Sequence, residues 1–137
     1  MEKRNDGGQS SFAKRSYRMI DSQKFASEWV DAWNAHDLDA VLSHYREDFQ
    51  MSSPFIKQVA GDASGKLVGK EQVRKYWKTA LRRMPELRFE HIATMEGVNS
   101  IAIHYKGPGG RLCAEVFEFD AAGLVQRAAA HYSSGPT

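Results

Sequence analysis

The sequence predicts an α+β domain, and two observations carry that prediction. Up to about residue 84, apolar residues recur mainly at three- and four-residue steps, the signature of helices. Beyond it, short alternating segments separated by turn residues read as strands. Helices first and an antiparallel meander after is an α+β layout. The 137 residues suit one domain, which at this length buries about two-thirds of its unfolded surface.

Residues 1–20 read as a flexible tail, because Gly7-Gly8-Gln9-Ser10-Ser11 breaks any periodicity. The domain is expected over 21–137. From Asp21 the helical face is Phe25, Ala26, Trp29, Val30 and Trp33, with Asp21 or Ser22 as cap. After the break at Asn34-Ala35-His36, Asp37 caps a second helix whose apolar face is Leu38, Val41, Leu42 and Tyr45. Residues 48–53 read as a short strand ended by Pro54, and 57–69, with three glycines, as a mobile loop. A third helix is expected over 70–84. Its inner set is Val73, Tyr76, Trp77, Ala80, Leu81 and Met84, and Lys70, Arg74, Lys78 and Arg82 form its solvated stripe. Strands follow in the 87–95 segment and over 100–106, 111–119 and 124–134.

Composition excludes several classes of function. Hydrophobic residues make up 42% of the chain, with seven Phe, five Tyr and three Trp, which is incompatible with disorder. A single cysteine, Cys113, excludes an internal disulfide framework and a multi-cysteine zinc site. The net charge of +2 does not announce nucleic acid. No apolar run is long enough for a bilayer span, and the first residues carry no signal-peptide pattern. The expectation is a cytoplasmic protein with no nucleic-acid or membrane partner and no metal.

Strand register then decides which side chains meet. A four-residue turn at Gly107–Gly110 sets Lys106 opposite Arg111 and His104 opposite Cys113. One face of the sheet then carries Phe89, His91, Ala102, His104, Cys113, Glu115, Phe117, Phe119, Ala128, Ala130 and Tyr132. The other carries Ile101, Ile103, Tyr105, Leu112, Ala114, Val116 and Val125. A sheet apolar on both faces needs two covers. Helices supply one, and a second copy of the chain is the expected other, giving a homodimer through the sheet. Small residues opposite helix aromatics leave space, and the polar groups there make it a ligand pocket. Glu115 among aromatic and alanine neighbours should hold its proton unusually tightly.

Several segments resemble the nuclear transport factor 2-like superfamily. They are Trp33-Asn34-Ala35-His36-Asp37-Leu38 with Tyr45-Arg46-Glu47-Asp48-Phe49, then Gly69-Lys70-Glu71-Gln72-Val73, and Glu115-Val116-Phe117-Glu118-Phe119 with the closing Ala130-His131-Tyr132. The resemblance runs over residues 21–134 and is nearest to SnoaL-like polyketide cyclases and ketosteroid isomerases. It implies a cone: a curved antiparallel sheet wrapped around three N-terminal helices, with a pocket at one end. It also implies that Ser53 stands where the isomerases carry a general-base aspartate, and Trp29 where they carry an oxyanion-hole tyrosine. Glu115 stands where they carry a protonated aspartate.

These readings give one set of candidates. Glu115 is the expected acid/base or oxyanion donor and His104 its proton partner. Trp29, Trp33, Tyr45, Ser53, Phe55, Trp77, Phe89, His91, Cys113, Phe117 and Tyr132 are the expected pocket residues. The expected ligand is a hydrophobic, oxygen-bearing small molecule, and the expected chemistry is cofactor-free proton transfer beside a carbonyl. A non-catalytic binding or dimeric interaction module is the competing class.

Overall fold

A computed structural model describes residues 20–134, so residues 1–19 of the expected N-terminal tail lie outside the described residues, and Ile20, its last residue, packs partly buried against the core. The chain enters through helix α1 (Ser22–Asn34), capped by the Asp21 carboxylate accepting from Lys24 N–H at 3.0 Å. Helix α2 (Leu38–Leu42) follows, capped in the same way by Asp37. Both caps satisfy backbone donors that a helix start would otherwise leave bare. His36, at φ 57°, makes the sharp reversal between them.

Strand β1 (Tyr45–Ser52) is longer than expected and begins directly after α2. The stretch expected as a loop instead holds a short helix α3 (Ile56–Ala60) and strand β2 (Lys66–Val68). Ile56 and Leu67 are buried there, which gives this stretch a core anchor in each element. Helix α4 (Lys70–Arg83) buries Val73, Tyr76 and Trp77. Strands β3 (Glu90–Gly97), β4 (Ser100–Lys106), β5 (Leu112–Phe119) and β6 (Val125–Tyr132) complete the chain.

The six strands form one open curved sheet in the order β2-β1-β6-β5-β4-β3. The four C-terminal strands make the antiparallel meander. Strand β1 joins it beside β6 in parallel, so the sheet is mixed. Helix α1 packs on the inner face, with the Phe25 ring edge-on to Phe117 and Phe119 at 4.9 and 5.1 Å. Its C-terminal end is fastened to the approach to β3. Asn34 donates to the Phe89 carbonyl and accepts from the Phe89 N–H, and the His36 ring meets the Leu87 carbonyl. Ser22 donates to Glu96 at its other end.

One register differs from the expected one and moves half a strand's side chains. Gly107 N–H donates to the Arg111 carbonyl at 2.8 Å, so these two residues close the turn and its tip is only Pro108-Gly109-Gly110. Gly109 and Gly110 both have positive φ, which suits glycine. Lys106 therefore pairs with Leu112, not Arg111. A shift of one residue turns every side chain of β4 to the opposite face. Ile101, Ile103 and Tyr105 lie in the core, and Ala102 and His104 face outward. Val125 is also fully buried, the consequence of a bulge between Glu118 and Phe119. The outer face thus carries Ala102, His104, Ala114 and Val116, with Met95 and Leu112 exposed on it.

Candidate functional site

Between α1, α3, α4 and the inner face of the sheet lies a cavity of about 450 Å³. Aromatic side chains build most of its wall. Trp29 stacks on Phe89 at 5.5 Å, Phe89 tilts against Tyr105 at 4.5 Å, and Trp33 meets Trp77 edge-on at 4.9 Å. Across from them Phe55 packs on Tyr132 at 4.6 Å. The helical spacing of Tyr76, Trp77, Ala80, Arg83 and Met84 places all five on the cavity side of α4.

Glu115 projects into this space from the middle of β5 and is 4% exposed. Alternation along β5 sends Cys113, Glu115 and Phe117 inward, and Ala130 directly opposite Glu115 is too small to cover it. Tyr105 donates its hydroxyl hydrogen to Glu115 Oε1 at 3.3 Å. Among the described residues no cation reaches the carboxyl, and burial pushes its pKa up to about 8, a rise the Tyr105 bond only partly opposes. Near neutral pH Glu115 is thus mostly a neutral acid with one oxygen engaged by Tyr105.

The surrounding phenols respond to the same environment. Burial raises Tyr45, Tyr105 and Tyr132 above the usual phenol range, and the nearby Glu115 carboxyl adds to each. Tyr76 is raised for the same two reasons, opposed by its hydroxyl donating to Ser53 Oγ at 3.3 Å. Burial also raises the Cys113 thiol, so it is no ready nucleophile. Trp33 Nε1 is buried without a hydrogen-bond partner among the described residues.

The expected site residues divide into three groups. Trp29, Trp33, Phe55, Trp77, Phe89, Cys113, Glu115 and Tyr132 line the cavity. Tyr45, Ser53 and Phe117 are buried around it: Tyr45 accepts from Trp29 Nε1 at 3.0 Å, Ser53 sits behind Tyr76, and Phe117 underlies Trp29. His104 and His91 are corrections. The flipped register turns His104 to the outer face opposite Ala93 and Ala114. A bulge after His91 leaves that ring exposed and bonded to Thr94 Oγ1. Glu115 therefore has no imidazole partner.

The sequence reading missed Tyr105, Arg83 and Arg111 as cavity residues. Tyr105 was hidden by the parity of one turn. Arg83 had a readable signal, because it continues the Tyr76–Ala80 row at helical spacing. Among the described residues no group of three His, Cys, Asp or Glu is placed to hold a metal ion, and no helix is long and apolar enough to cross a membrane.

Comparison with known proteins gives a consistent pattern. The sequence pattern of the SnoaL-like domain matches residues 26–132. A SnoaL-like protein of unknown function from Burkholderia thailandensis is 59% identical, over 82% of this chain and 94% of that one, with a TM-score of 0.79. A nuclear transport factor 2-like protein of unknown function from Burkholderia pseudomallei is 17% identical, over 84% and 92%, with a TM-score of 0.68. A candidate polyketide cyclase from Sinorhizobium meliloti is 15% identical, over 79% and 94%, with a TM-score of 0.63. No curated protein matches the chain.

Proposed function

Since the chain belongs to the SnoaL-like domain family, we propose that its cavity takes an apolar small molecule with an oxygen function, which Glu115 engages as a neutral acid. The observation that carries this reading is Glu115 itself. It is a buried carboxyl in an aromatic cavity, with no cation and a single hydrogen-bond donor beside it among the described residues. The proton it keeps can be given to a ligand carbonyl or hydroxyl, where charge develops in enolisation, aldol closure or loss of water. The unpartnered Trp33 indole N–H is a second donor at the cavity wall.

The same inventory narrows the chemistry. His104 faces away and Ser53 has no base beside it, so a separate general base is lacking among the described cavity residues. With a pKa of about 8, roughly a tenth of Glu115 is ionised at pH 7. A reaction needing one acid on an oxygen, or one carboxyl that both takes and returns a proton, suits this site. A two-residue acid-and-base relay does not. The reported resemblance to a candidate polyketide cyclase is compatible with such a step.

The test is infrared spectroscopy of bound 2-acetylnaphthalene. Uptake with a carbonyl stretch lowered below pH 8, relaxing above it and absent in Glu115→Leu, supports the reading. No uptake, or a carbonyl frequency indifferent to residue 115, overturns it.

A further inference from the structure

Charge is distributed unevenly along the cavity. Its deep end holds the neutral Glu115 and the Tyr105 and Tyr132 phenols, whereas its rim carries two arginines, Arg83 and Arg111. Both arginines are exposed, and neither forms an ion pair among the described residues. Arg83 closes α4, where a cation complements the helix dipole. Arg111 has no such role. It sits in extended backbone at the end of a glycine turn, in phase with Cys113 and Glu115.

Each cation is set well away from the buried polar group of its own element. Four residues of extended chain separate Arg111 from Glu115, about 13 Å between backbones. Seven residues of helix separate Arg83 from Tyr76, about 10 Å along the axis. Each element therefore runs from an uncharged polar group inside to a guanidinium at the mouth. An anionic group cannot profitably enter the aromatic interior, where an isolated charge loses its hydration. At the mouth it meets two planar donors suited to a carboxylate.

Resting on the reading of the cavity as a ligand site, we propose that its ligand is an elongated apolar acid, bound with its carboxylate at the mouth between Arg83 and Arg111 and its opposite end at Glu115. Arg83 and Arg111 fix orientation and select against uncharged analogues. The aromatic wall supplies contact along the length.

The experiment compares biphenyl-4-carboxylate with biphenyl-4-carboxamide, a pair alike in shape and different in charge, by tryptophan fluorescence and ligand-observed NMR. The acid should bind the native protein roughly 10-fold tighter than the amide, consistent with one charge-assisted contact. The preference should shrink with added salt and vanish in Arg83→Gln/Arg111→Gln. Equal binding of the two probes to the native protein, or a preference that survives the double replacement, overturns the proposal while leaving the cavity reading intact. Failure of both probes to bind while 2-acetylnaphthalene is still taken up overturns the proposal alone, and failure of all three removes the two together.

Discussion

The Tyr105 hydroxyl and Glu115 Oε1 lie 3.3 Å apart on a diagonal between adjacent strands, and this contact exists only because β4 sits one residue out of the register its turn sequence suggests. Tyr105 is 3% exposed and Glu115 4%, so the pair is shielded from water. Its energetics therefore depend on pH in a way that exposed carboxylates do not show.

Glu115 lowers the stability of the fold as pH rises. In the unfolded chain it ionises near its ordinary 4.5, whereas in the folded protein it holds its proton to about 8. Between those values unfolding releases a proton, so stability falls by about 1.4 kcal/mol per pH unit, for a total of about 3–5 kcal/mol. Below 4.5 both states are protonated and the effect disappears. Glu115→Gln should therefore be little different from the native protein near pH 4.5 and relatively more stable with every step towards pH 8. Urea unfolding across that range measures it. Parallel stability curves for the two proteins would mean that Glu115 titrates normally.

Tyr105→Phe isolates the hydrogen bond. That bond favours the charged carboxylate, so its loss should move the Glu115 midpoint upward from about 8. It also strips a buried oxygen of its donor, at a cost of about 1–3 kcal/mol. Carbon-13 NMR of the labelled Glu115 carboxyl reads the midpoint directly. An unchanged or lowered midpoint would show that Tyr105 does not donate to it.

His104→Ala tests the register from the other side. The imidazole is half-buried on the outer face between Ala93 and Ala114. Its removal should shift stability by no more than about 0.5 kcal/mol. Binding of 2-acetylnaphthalene and its pH profile should stay unchanged. A profile that moves with residue 104 would restore the imidazole as Glu115's proton partner and contradict the strand phase.

These contrasts show where the sequence was legible. Helix faces such as Phe25–Trp29–Trp33 and caps such as Asp21 and Asp37 depend on local spacing and side-chain chemistry, and both are readable without coordinates. The inward row of Cys113 and Glu115 was also readable, with Ala128, Ala130 and Tyr132 of β6 on the same face. The Gly107–Arg111 turn differed by one residue, and an odd error exchanges faces. Paired from the turn sequence alone, His104 falls in the cavity and Tyr105 on the outer face, the reverse of the observed register. The bulge beyond His91 has a similar origin, since nothing in Glu90-His91-Ile92 marks an extra residue.

Ala80→Phe separates a ligand cavity from loose packing. Ala80 faces the cavity from α4, one turn after Tyr76 and one before Met84. A phenyl group there enters space bounded by aromatic walls and meets no charged group of the deep end. The added apolar burial should leave stability unchanged or raise it by about 1–2 kcal/mol. It should also shorten the free length between Glu115 and the two arginines, weakening 2-acetylnaphthalene and biphenyl-4-carboxylate by at least roughly 10-fold, about 1.4 kcal/mol of binding free energy. Thermal unfolding and fluorescence titration on one preparation give both numbers. Retained affinity with raised stability would place the ligand elsewhere. Lost stability would show that the walls close on residue 80 more tightly than the cavity volume implies, since overpacking a filled core costs about 1–3 kcal/mol.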